Sequence, residues 1–234
     1  MSKYDTDVLI SQLMELRKAF HPVVEWGVDE DDIHIFDLTA ANERLAKVDV
    51  NDETTFCGFI NESITENNCR IGMGGYGEDR IVYKLSALFG GESARTVHLG
   101  IDIWTEAGTS VYAPMKGVIH SFKDNDNHGD YGPTLILQHN LEGLTFYTLY
   151  GHLSKASLIG KNVGDKVDKG QQIATLGSYH ENVHWPPHLH FQLLTDMKDH
   201  WGDFPGVCHK SQADEYLKMC PDPNLILNIS KLDT

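Results

Sequence analysis

"RTVHLGIDIW", residues 95 to 104, decides how this chain is read. Val97, Leu99, Ile101 and Ile103 alternate as the buried side of a half-buried strand, which sends His98, Gly100, Asp102 and Trp104 to the opposite face. A histidine and a carboxylate behind an apolar row mark a strand that carries chemistry. On a regular strand, Cα atoms four residues apart lie about 13 Å from each other, near or beyond what two side chains can bridge through one ion. The spacing therefore predicts a bend between His98 and Asp102. Gly100 is the residue that permits it and that leaves space below an ion.

A second stretch repeats the layout. In "HLHFQLL", residues 188 to 194, Leu189, Phe191 and Leu193 form one face and His188, His190 and Gln192 the other. With 13 histidines in the chain a His-x-His pair is cheap by chance, so its weight comes from the company it keeps. Two strands distant in sequence each present metal-capable side chains opposite an apolar face, and histidine with carboxylate suits zinc. His188 and His190 are expected about 6.6 Å apart on one face, so one can ligate while the other reaches toward a bound water or substrate. "TFYTLYGHLS" adds His152, at a strand end just after a glycine.

A catalytic zinc centre needs three protein ligands, an open position for water and a nearby group that handles protons. His98, Asp102 and His190 fill the first requirement, and His152 and His188 the last. Hydrolysis of an amide or peptide bond is the chemistry this set suits, with zinc as cofactor and a peptide or small amide as partner; manganese or iron could occupy the same ligands.

Composition bounds the setting. The chain has 34 acidic and 19 basic residues, a formal charge of -15, which repels nucleic acid and anionic membrane surfaces. The amino terminus is acidic where a secretory leader would be basic, and its apolar residues are spaced rather than continuous. Four widely spread cysteines make no disulfide framework. The expectation is a cytoplasmic protein with free thiols and neither a nucleic acid nor a membrane partner.

Three segments follow from texture. Residues 1–94 open with a helix (Leu9, Leu13, Leu16, Phe20) capped by Thr6 or Asp7, and continue as an irregular acidic extension packed on the core. "IHIFDL" reads as a short strand, "CRIGMGGYGEDR" as turns, and "RIVYKLSALFGG" as a short helix ending at paired glycines. Residues 95–196 show short alternating runs punctuated by glycine, the texture of a compact antiparallel sheet system. Residues 197–234 form loops and one helix, with Ser211 and Asp214 as a capping box and Pro221 at its end. The fold class is mainly β: an antiparallel sheet or sandwich core with a groove, carrying helical and irregular extensions at both termini.

The ordered set "HLGID", "VYAPMKGVI", "YGHLS", "VGDKVDKGQQIATLG" and "HLHF" resembles the lysostaphin-like (LytM-type) zinc metalloendopeptidases over residues 95–196. The resemblance implies zinc ligation at His98, Asp102 and His190, and catalytic or oxyanion-stabilising roles for His152 and His188. Relatives cleave peptide cross-bridges of bacterial cell walls, so the resemblance is to peptidoglycan endopeptidases. The chain departs from the family in "GSYHENVHWPPHLHF", where Pro187 replaces a glycine and His180, His184 and Trp185 are inserted. That groove wall is different, and the strong acidity fits poorly with an anionic wall substrate, so an intracellular substrate is expected. The flanks "FDLT", "YGEDRIVY" and "CPDPNLIL" resemble versions of this domain fused to, or associated with, an aminotransferase module.

Two other readings compete. "HLGIDIW", "YAPMKGVI" and "GDKVDKGQ" also resemble the phosphocarrier domain of the glucose-type sugar phosphotransferase system, where two histidines relay a phosphoryl group. The HLH strand and the His152 segment favour the peptidase. A non-catalytic metal-containing binding domain is the other alternative, and retention of all five positions argues against it. Among single residues, His139 is expected to support its strand, His120 and His128 to face solvent, and Trp104 to cover a rim by packing.

Overall fold

The computed structural model describes residues 3–25, 30–85, 94–127, 130–182 and 184–233. His128 and the paired glycines at 90 and 91 lie outside the described residues. The elements run α1 (Lys3–Leu16), β1 (Ile33–Phe36), α2 (Glu53–Glu66), β2 (Ile71–Gly74), α3 (Ile81–Leu85), β3 (Arg95–His98), β4 (Ile101–Trp104), β5 (Ser110–Tyr112) and β6 (Gly117–Asn125). They continue with β7 (Gly132–Leu141), β8 (Leu144–Gly151), β9 (Lys166–Val167), β10 (Gln172–Thr175), β11 (His188–Leu194), β12 (Val207–His209), α4 (Ala213–Met219) and α5 (Asn224–Leu227).

Eight strands form one sheet in the order β1-β2-β4-β11-β8-β7-β6-β9, parallel only between β1 and β2 and antiparallel elsewhere. Two further antiparallel pairs, β5 with β10 and β3 with β12, stand outside it. The hairpin between β7 and β8 turns through Glu142 (φ 49°) and Gly143 (φ 90°), two positive-φ residues whose twist matches the flanking strands. This mainly antiparallel, strand-rich architecture is the expected fold class.

Alternation sorts the core. Ile101, Ile103, Leu189, Phe191 and Leu193 bury one face of the large sheet against Leu9 and Leu13 of α1, Val111 of β5 and Ile173 of β10. Ile136, Leu149 and Leu194 bury the other face against Val97, Leu99, Phe204, Cys208 and Cys220. The row read as one apolar side of one strand is thus divided between two cores. The chain changes sheet at Leu99 and Gly100, and the histidine-bearing side is buried as well, with His98, Asp102 and Trp104 all under 5% exposed.

Several expectations for the extensions need correction. Thr6 and Asp7 lie inside α1, which starts before them, so neither caps it. A helix is added at 53–66: Asp52 Oδ1 accepts from Thr55 N–H at 2.8 Å, and Phe56, Phe59, Ile60 and Ser63 follow at helical spacing as its buried face. Ser211 caps nothing; its hydroxyl meets His209 Nδ1 at 2.7 Å, and α4 begins after Gln212 without a side-chain cap. His120 is half-buried between Tyr147 and Trp201, each ring 5.1 Å away, rather than solvent-facing. His139 does support its strand, reaching Lys116 O at 2.9 Å and Thr148 Oγ1 at 2.8 Å.

The largest correction concerns "CRIGMGGYGEDR". Its first glycines are not turns: Ile71–Gly74 is the fully buried strand β2, with Gly72 opposite Trp104 and Gly74 opposite Asp102. A Cβ on Gly72 would lie 2.4 Å from Phe36 Cε2, and one on Gly74 would lie 2.6 Å from Arg80 Nη2 and 2.8 Å from the Trp104 ring. These glycines supply close approach, not backbone freedom. Gly72→Ala is expected to destabilise the protein by roughly 1–3 kcal/mol, because Phe36 and Ile64 are both packed there. A urea titration showing an unchanged midpoint would contradict that packing.

Candidate metal centre

Three strands of different pairings deliver the cluster. His98 ends β3, Asp102 lies in β4, and His190 sits directly opposite Asp102 in β11. Their ligand atoms form a tight triangle: His190 Nδ1 to Asp102 Oδ1 is 3.0 Å, His98 Nε2 to His190 Nδ1 is 3.1 Å, and His98 Nε2 to Asp102 Oδ1 is 3.4 Å. Three ligands 2.0–2.1 Å from a tetrahedral ion lie about 3.3 Å apart, so the spacing suits one zinc-sized cation. Among the described residues this is the group of histidine, cysteine and carboxylate side chains that could hold a metal ion.

Gly100 makes the approach possible. An added Cβ there would lie 2.7 Å from His190 Cε1 and Nε2 and from Phe191 O. Its φ is not in the left-handed region, so the requirement is for space; the bend itself is the change of sheet.

The outer hydrogen bonds orient each ligand. His98 Nδ1–H donates to Gly75 O at 3.2 Å, which turns Nε2 inward. His190 Nε2–H donates to Gln192 Oε1 at 2.9 Å, which turns Nδ1 inward. Asp102 Oδ2 accepts from Arg80 Nη1 at 2.5 Å and leaves Oδ1 for the cluster. Burial opposes the Asp102 charge, but His98, Arg80 and the histidine hydrogen bonds outweigh it and hold the carboxyl well below the usual carboxylate range. Burial, then the Arg80 charge, pushes His98 down to about 4. The donor set of neutral imidazole and carboxylate fits a divalent cation.

His152 and His188 stand beside the triangle. His188 is held from below by Trp104, whose ring stacks at 5.5 Å and 28°, so the tryptophan packs as expected. Its Nδ1–H donates to Pro186 O at 2.7 Å, and Nε2 faces Asp102 Oδ1 at 3.9 Å. The His152 ring centroid lies 4.0 Å from that of His188, and His152 has a positive φ of 62°, a conformation uncommon for a side-chain-bearing residue. Its Nδ1 is buried without a hydrogen-bond partner. Burial, reinforced by His188 and His190, keeps this imidazole well below its ordinary pKa.

A cavity of about 520 Å³ opens on the cluster, lined by Asp102, His152, His188 and His190 together with Arg80, Tyr131 and Trp185. Trp185, from the inserted loop, meets the Phe56 ring edge-on at 6.0 Å, whereas His184 packs against Tyr179 away from the triangle. Sequence reasoning missed Arg80, Gly75 and Tyr131. Arg80 and Gly75 lie in the glycine-rich stretch, where no periodicity marks them, and Tyr131 lies between strands. Gln192 was placed on the site face by alternation, but its bond to His190 was not anticipated.

Fold and site together define a β-sheet domain with a histidine–aspartate–histidine group that could hold a metal ion, beside a cavity. Residues 96–200 match the family model described as Peptidase family M23. Among solved structures, the chain is similar to a zinc-containing peptidase from Vibrio cholerae, 31% identical over 42% of this chain and 27% of that one, with a TM-score of 0.35. A putative peptidase M23 from Pseudomonas aeruginosa is 22% identical over 56% of this chain and 43% of that one, TM-score 0.38. The catalytic domain of lysostaphin from Staphylococcus simulans is 29% identical over 50% of this chain and 77% of that one, TM-score 0.35. The chain thus spans under half the length of the first two. No match was found among curated proteins. None of the helices among the described residues is long and apolar enough to cross a membrane.

Proposed function

We propose that this protein is a zinc-dependent hydrolase that cleaves an amide or peptide bond in a peptide or small amide substrate. The carrying observation is the triangle of His98 Nε2, Asp102 Oδ1 and His190 Nδ1, with each ligand's other polar atom already bonded outward. When bound, the ion supplies a Lewis acid that polarises a carbonyl and lowers the pKa of water to about 7. The chain's own residues do the rest. His152 offers its unpartnered Nδ1 to the proton of the attacking water. His188, whose Nδ1–H is committed to Pro186, presents a lone pair at Nε2, and that atom becomes a donor to the oxygen on which charge develops once it has taken up a proton. Trp104 and the Pro186 carbonyl hold its ring in place.

The -15 charge supports a substrate other than an anionic wall polymer, and we place the protein in the cytoplasm on the same ground. A hydrolysis screen over short peptides and amino-acid amides, run with and without a chelator, tests this reading. At least one substrate should turn over, stop on chelation and resume on adding zinc. Failure of the zinc-loaded protein across the whole panel would overturn it, and transfer of phosphate to a histidine without metal would install the phosphocarrier in its place.

A further inference from the structure

We infer that Arg80 is a positioning residue for the metal centre: it occupies Asp102 Oδ2 so that Asp102 meets an ion through Oδ1 alone. The inference rests on the metal-centre reading above. Arg80 lies outside the 96–200 segment and belongs to the extension that sequence texture left irregular. It is 2% exposed yet lines the cavity. Its guanidinium spans two carboxylates, with Nη1 on Asp102 Oδ2 and Nε on Glu78 Oε2 at 2.9 Å, and Nη2 lies 3.4 Å from Gly75 O.

That fork is itself fixed. Arg80 N–H donates to Thr96 O at 2.9 Å, Glu78 Oε1 accepts from Leu38 N–H at 2.8 Å, and bare Gly74 leaves the space that Nη2 fills. A carboxylate free on both oxygens can take an ion with both and use up the coordination position that substrate and water require. Arginine has five donors, no acceptor and no accessible deprotonated form, so it withholds Oδ2 without competing as a ligand. The same short segment supplies Gly75 O to His98 Nδ1, and residues 75–80 therefore orient two of the three ligands.

Cobalt-substituted protein tests this, because four-coordinate Co²⁺ absorbs visible light much more strongly than higher-coordinate Co²⁺. Arg80→Met is expected to bind one cobalt but lose visible absorption several-fold, and on a substrate from the screen to lose at least tenfold in kcat with little change in KM. If Arg80→Met does not fold, Arg80→Lys is read in the same way, since a point charge cannot bridge Glu78 and Asp102 as the planar fork does. A merely structural role would lower thermal stability and leave the cobalt spectrum alone. A folded Arg80 variant with the wild-type spectrum and kcat overturns the inference, whereas a wild-type protein that binds no cobalt tightly overturns the metal centre itself.

Discussion

Asp102→Ala is expected to empty the metal centre and to reduce turnover by roughly 10⁴-fold or more, because it removes one of three ligands and with it the polarising charge worth several kcal/mol of transition-state stabilisation. Metal content after dialysis, measured beside activity, checks it. The substitution also deprives buried Arg80 of a carboxylate, and breaking a buried pair of this kind costs about 3–5 kcal/mol. His190→Ala separates the two effects. It deletes a ligand whose outer partner is the neutral Gln192, so it should lose metal with a smaller stability penalty. Full metal occupancy in His190→Ala would dissolve the triangle as a binding site.

His152→Ala is expected to behave in the opposite way, keeping the metal while turnover falls by roughly 10²–10⁴-fold, the usual worth of a positioned proton-transfer group. Its ring is outside the triangle, so the variant should keep the ligand set. Activity within a few-fold of wild type, with metal retained, would remove His152 from the mechanism.

The legible part of this molecule was the part whose side chains alternate. "HLHFQLL" and "RTVHLGIDIW" declare their faces, and His98, Asp102, His188 and His190 fall out of those faces, while His152 is marked only by its place at a strand end after a glycine. The strand Ile71–Gly74 was not legible, because glycines that vacate space for Trp104 and Arg80 are written identically to glycines that turn a chain. The helix 53–66 carried an Asp52 cap and a helical row of phenylalanines, a signal present but diluted by the acidic residues around it. Arg80 offered no signal at all. Its partner Asp102 is 22 residues away, and only the packing of β2 beside β4 brings the two together.

The placement of β2 has a consequence for what can enter. Asp102's strand has β11 on one side and β2 on the other, so its main-chain amides and carbonyls are taken on both edges. An incoming extended polypeptide cannot dock there by strand addition, the register-reading mode that rewards long ligands through repeated backbone pairing. At this strand, whatever enters the cavity is met by side chains and not by main-chain pairing.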